Sequence, residues 1–83
     1  MSFTVIWTPT AERDLARLWL GSRFRDTVTV AANAIDAELR RRPHECGESR
    51  ERQRRIMFES PLAVEFEIVD EQRTVYVEAL WAY

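Results

Sequence analysis

The spacing of apolar residues along the chain switches from a period of two to a helical period and back again. Phe3, Val5 and Trp7 alternate with Thr4 and predict a first strand over residues 3–7, with Ile6 breaking the alternation so that both faces are partly covered. Thr8-Pro9 then predicts a helix start, because Thr8 can accept from a free amide and Pro9 has no amide to leave unsatisfied. Ala11, Leu15, Leu18 and Trp19 draw an apolar stripe along that helix, and Gly21-Ser22 ends it. Asp26 or Thr27 can cap a second helix running to about Arg42, with Val28, Ala31, Ala32, Ile35 and Leu39 on its buried side and Pro43 as its stop. The run Thr27-Val28-Thr29-Val30 is β-branched and locally favours a strand. A link of about four residues between the helices implies an antiparallel pair.

Residues 43–51 read as a loop by composition, and the period then returns to two. Arg54, Ile56 and Phe58 alternate with Arg55 and Met57, and Ser60-Pro61 is a turn. Leu62, Val64, Phe66 and Ile68 alternate with Ala63, Glu65 and Glu67, which predicts a strand buried on one side. After a polar hairpin at residues 70–73, Val75, Val77, Ala79 and Trp81 are expected on one face of a last strand, with Tyr76, Glu78 and Leu80 opposite. Trp7 and Trp81 both look inward by this pattern. The expected fold is α+β with the order β-α-α-β-β-β, an antiparallel helix hairpin packed on a small, mostly antiparallel sheet. Residues 1–83 form one domain with no linker, repeat or low-complexity tract.

Composition supports a real but modest core. In 83 residues, 46% are hydrophobic and nine are aromatic, which argues against disorder despite 31% charged side chains. A chain this size hides only about 60% of the surface its unfolded form exposes, so its stability margin is thin. The single cysteine, Cys46, excludes an internal disulfide framework and points to a cytoplasmic protein. No apolar run is long enough for a membrane span, and residues 1–20 lack the layout of a signal peptide.

Charge is spread unevenly. All twelve basic residues are arginines, and seven of them fall between Arg40 and Arg55. Residues 56–83 hold Arg73 alone against six acids, while the whole chain carries a net charge of -2. Such a polarised molecule can direct one face at phosphates or at an acidic protein, since the planar guanidinium grips both well.

Most arrangements that carry chemistry are missing. His44 and Cys46 share one loop, but no further Cys or His completes a structural zinc set. Gly21 and Gly47 are the only glycines, so there is no phosphate-binding loop, and no metal or cofactor is expected. Glu65 and Glu67 share a strand face, where an outward polar surface is a simpler reading than a paired acid and base. That face can also carry Glu59 and Glu78. Arg50, Arg52 and Arg54 share one parity, provided the strand already runs straight there. A row of guanidiniums can hold successive phosphates and stabilise charge on a phosphoryl group. Arg40, Arg41 and Arg42 at the end of the second helix suit the helix dipole, which alone accounts for them. Tyr76 and Tyr83 are the aromatics placed to stack on a base.

Three stretches together carry a family resemblance: FTVIWTPTAERDLARLW, then AIDAELRRRP, then the ending GES…RRIMF…LAVEFEI…TVYVEALW. Over nearly the whole chain they resemble toxins of the RelE/ParE superfamily from bacterial type II toxin–antitoxin modules. The resemblance implies a cognate small antitoxin in a hetero-oligomeric complex, and a target that is either the ribosome with its mRNA or DNA gyrase. The resemblance first implies the ribonuclease branch, which inhibits translation by cleaving mRNA on the ribosome. There Arg54 or Arg55 would match the basic position of the second strand and Tyr83 the terminal tyrosine. These three are the catalytic candidates; Arg50, Arg52 and Arg41 are the candidates for holding the target. The chain departs from that branch at Leu62-Ala63-Val64 and Leu80-Trp81-Ala82-Tyr83, where Ala63 and Ala82 stand at usually basic positions. The alternatives are a non-enzymatic toxin that inhibits gyrase and an inactive, antitoxin-binding member of the same fold.

Overall fold

A computed structural model describes residues 2–83. The elements follow in the order β1 (Thr4–Trp7), α1 (Pro9–Gly21), α2 (Arg25–Arg41), β2 (Glu48–Ser49), β3 (Arg54–Glu59), β4 (Leu62–Val69) and β5 (Thr74–Ala82). The sheet order is β1-β5-β4-β3-β2. β1 runs parallel to β5, and every other pairing is antiparallel. Both helices pack on one side of this sheet, the α+β arrangement that the pattern predicts.

Local chemistry explains the helix ends. Thr8 Oγ1 accepts the Ala11 amide at 3.2 Å, and Pro9 opens α1. The second helix starts earlier than its expected cap, at Arg25, and no side chain caps it. Asp26 lies instead in its first turn, where a carboxylate suits the positive end of the helix dipole. Arg25 ties the two helices together by donating to the Trp19 and Leu20 carbonyls at 3.0 and 2.9 Å, which satisfies acceptors that the end of α1 leaves open. The β-branched run stays helical because Val28 joins the core with Ala31, Ala32, Ile35 and Leu39. Tertiary burial outweighs local strand preference there.

The loop after α2 holds a strand that composition does not predict. Glu48 and Ser49 pair with Ile56 and Arg55. Gly47 permits this approach: its φ is +64°, and a Cβ there would sit 2.2 Å from the Ile56 carbonyl oxygen. A backbone turn at Glu51–Gln53 follows, with Arg52 and Gln53 both in the left-handed region at φ of 60° and 66°. The strand therefore does not run straight from Arg50 to Arg54, and the three arginines border one hollow by way of this turn and not by strand parity.

On β4 the alternation holds, with Leu62, Val64, Phe66 and Ile68 buried against the helices. The last strand departs from its expected pattern. Glu65 pairs with Ala79 but Phe66 pairs with Val77, so Glu78 is an extra residue in β5. Such a bulge reverses the facing of every later side chain. Val75 and Val77 face the core as expected, but beyond the bulge Leu80 is buried and Trp81 is exposed. Trp7 does turn toward the core, where its Nε1 donates to Asp36 at 3.0 Å.

Candidate functional site

Pairing across the strands defines a side of the sheet that no helix covers. Arg54 stands opposite Glu67, and Glu67 opposite Tyr76, which pairs with Ile6. Ile56 stands opposite Glu65, and Phe58 opposite Ala63, which pairs with Trp81. The bulge places Glu78 on this same side, where its carboxylate lies 3.5 Å from Arg54 Nε. Glu65 is 3.8 Å from the same guanidinium. Glu59 has the other parity, paired with Leu62, so it does not join this face.

Arg54 thus faces three carboxylates, and Arg50 and Arg52 border the same hollow as Arg54, Ile56 and Glu65. Glu78 Oε1 is shut off from solvent and makes no hydrogen bond. Burial pushes the Glu78 carboxyl above the usual carboxylate range; Arg54 pulls it down, while Glu67 and Glu65 push it further up. Glu65, Glu67 and Glu78 make this part of the face acid-rich.

Arg55, its chain neighbour, points to the opposite side. Its guanidinium donates to the Cys46 carbonyl at 2.9 Å, the Ser49 hydroxyl at 2.8 Å and the Gly47 carbonyl at 3.1 Å. It clamps the loop that carries β2.

Tyr83 lies at the far end of the open face. Its ring meets Phe58 edge-on at 5.1 Å between centroids, and its amide donates to the Pro61 carbonyl. Phe58 is four strand residues beyond Arg54, a span of roughly 13 Å. The structure therefore brings Arg54 together with Glu65, Glu67 and Glu78, and leaves Arg54, Arg55 and Tyr83 in three separate places.

Of the remaining candidates, Arg50 and Arg52 line one hollow with Arg54, Glu51, Ile56 and Glu65, while Arg41 lies on the second helix. Arg50 donates to its neighbours Glu48 and Ser49, and Arg41 pairs with Glu38 at 3.5 Å. Arg52 is exposed and makes no ion pair among the described residues. The loop residues His44 and Cys46 engage different partners: His44 pairs with Asp70 at 2.9 Å, and the Cys46 thiol donates to the Arg42 carbonyl at 3.3 Å. Burial raises the Cys46 thiol above its ordinary range, which keeps it unreactive.

Sequence reasoning did not anticipate the aromatic end of the open face. Phe58, Trp81 and Tyr83 are 56%, 38% and 63% exposed, yet Ala63 beside them is fully buried. The missing signal was the bulge, which has no mark in residue type at Glu78-Ala79. Among the described residues no helix is long and apolar enough to cross a membrane.

A helix hairpin on one side of a mixed five-strand sheet, with a charged and aromatic opposite side, defines a small α+β domain. The model of the family described as "ParE toxin of type II toxin-antitoxin system, parDE" matches residues 5–82, and the chain belongs to that family. No curated protein matches the sequence significantly. Among solved structures, the toxin–antitoxin complex RelBE2 from Mycobacterium tuberculosis is similar at 22% identity, covering 100% of this chain and 93% of that one, with a TM-score of 0.79. The chromosomal ParDE system from P. aeruginosa is similar at 12% identity over 96% of this chain and 95% of that one, with a TM-score of 0.72. The isolated E. coli RelE toxin follows at 13% identity, 96% and 83% coverage, and a TM-score of 0.62. At these identities the likeness is one of fold.

Proposed function

We propose that this chain is a toxin that acts by binding a protein target, with DNA gyrase as the candidate, and not by cleaving RNA. The observation that carries the reading is the pairing of Arg54 with Glu65 and Glu78 on the open side of the sheet. A ribonuclease working through a 2′-hydroxyl needs positive charge where the phosphorane develops, and a missing charge partner there costs about 3 kcal/mol. Here Glu65 and Glu78 both pair with Arg54, while Arg55 is engaged in the loop and Tyr83 stands apart. A cognate antitoxin belongs to the same proposal, supported by the toxin–antitoxin complexes that share the fold.

The test is induced expression with two readouts. Growth arrest with intact messenger RNA, together with loss of supercoiling by purified gyrase on adding the chain, is the expected result. Messages broken at the ribosome would overturn the proposal in favour of mRNA cleavage. Soluble protein without any effect on growth would point to an inactive, antitoxin-binding member.

A further inference from the structure

A sheet is stable when each apolar face is packed against another layer, and here a helix layer covers only one face. The other carries two different surfaces end to end. At one end Phe58, Trp81 and Tyr83 stand exposed around the buried Ala63. At the other, Glu65, Glu67 and Glu78 gather around Arg54, and one Glu78 oxygen is sealed from water without a hydrogen bond. Removing water from this patch favours a partner that brings positive charge, because Glu65 and Glu78 both lean on Arg54 and Glu67 stands beside them.

We propose that this open face is the seat of an amphipathic helix of the antitoxin, and that the helix carries arginine or lysine beside its apolar stripe. The inference rests on the toxin–antitoxin reading above, and it names the chemistry of the partner. The strand register sets the spacing. Ala63, under the aromatic end, lies two residues from Glu65 and four from Glu67 on β4, which is about 7 to 13 Å. A helix advances about 1.5 Å per residue, so its basic residues lie roughly five to nine positions from its apolar anchors, about one and a half to two and a half turns. A strand partner would instead need a sheet edge, since backbone pairing cannot be made to a face. The acidic half of this chain inverts the sign expected of a protein that grips phosphate, and the covering helix is correspondingly basic.

The test uses the isotopically labelled chain and two synthetic 18-residue helical peptides, a length chosen for about five turns. They share one leucine stripe, and one carries two arginines at the derived spacing where the other carries two glutamates. The arginine peptide is expected to shift the resonances of residues 54–58, 63–67 and 76–83, and to weaken several-fold when salt is raised. The double variant Glu65→Gln, Glu78→Gln is expected to lose about three- to tenfold in affinity, as for two part-exposed ion pairs, with thermal stability not reduced. Phe58→Ala should weaken both peptides, since it removes the shared apolar anchor. Equal binding of the glutamate peptide would overturn the proposal, as would shifts confined to the helices or no binding at all. Shifts on the same face that grow with protein concentration alone would mean a second copy, and shifts caused by a short RNA would mean a nucleic acid; either overturns it. None of these results depends on gyrase inhibition, so the two readings fail separately.

Discussion

The two sides of the sheet are made by the same strands and do different work. Toward the helices, Val64, Phe66, Val75 and Val77 are fully buried and hold the domain together. On the open side stand Glu65, Glu67, Glu78 and Arg54, with the aromatics Phe58, Tyr76, Trp81 and Tyr83, and no helix packs above them. Arg54 and Arg55 compress the contrast into one peptide bond. One faces a patch suited to a partner, and the other clamps a loop. A strand's period of two separates the buried scaffold from the open face, and adjacent identical residues sit in unrelated surroundings.

The largest expected difference between the sides is in stability. Phe66→Ala should cost about 3–5 kcal/mol, because it empties a fully buried site. That is a large share of the roughly 5–10 kcal/mol available to a domain of this size. Phe58→Ala on the open side should cost under about 1 kcal/mol, since its ring is half in water already. Denaturant unfolding of the two variants measures the comparison directly. A loss at Phe58 equal to that at Phe66 would mean that the open face belongs to the core.

Gly47→Ala comes next. The added Cβ meets the Ile56 carbonyl at 2.2 Å in a backbone with φ of +64°, so β2 has to leave β3 or the strand has to shift. A loss of about 2 kcal/mol is expected, with rapid amide exchange at residues 47–56 as the local signature. An unchanged exchange pattern would show that β2 is not held by this close approach.

The arginine pair sharpens the contrast further. Arg55→Met breaks hydrogen bonds to two carbonyls and a hydroxyl, and should destabilise the domain by about 1–2 kcal/mol. Arg54→Met removes only the two longer ion pairs and should change stability by less than about 1 kcal/mol. Under the proposed function neither change creates or abolishes RNA cleavage. If Arg54→Met or Arg55→Met selectively stopped message cleavage in a growing culture, the catalytic assignment from sequence would be restored.

Much of the scaffold is legible in the sequence because its signals are local. Thr8-Pro9 marks α1, the stripe from Val28 to Leu39 marks the buried side of α2, and the alternation from Leu62 to Ile68 marks β4. The misreadings come from features set by distant partners. Arg25 links the helices by reaching back to carbonyls of α1, and β2 exists because Gly47 lets it approach Ile56. The bulge at Glu78 matters most for the candidate site. Without it, alternation puts Trp81 inside and Leu80 outside; with it, Trp81 reaches the open face beside Phe58 and Tyr83. The arginines were easy to count, but which side each one faces depends on the turn at Glu51–Gln53 and on strand pairing.

The smallest predicted effect concerns Glu78, and it probes the open face from within. Burial raises its folded-state carboxyl above the unfolded value, against the opposing pull of Arg54 and with help from Glu67 and Glu65. The folded state therefore holds this proton more tightly than the unfolded chain does. Between the ordinary carboxyl value of about 4.3 and the raised folded value, folding takes up a proton, so stability falls as pH rises through that window. Above the window the ionised side chain leaves a constant penalty, and below it the penalty disappears. Glu78→Gln keeps the shape and removes the titration, so the variant should gain on the wild type as pH rises through the window and hold that gain at neutral pH. Thermal melts of both proteins across the window measure the difference. A Gln variant that loses ground at neutral pH would mean that attraction to Arg54 outweighs desolvation. The patch would then be a satisfied ion pair and not a surface waiting for positive charge.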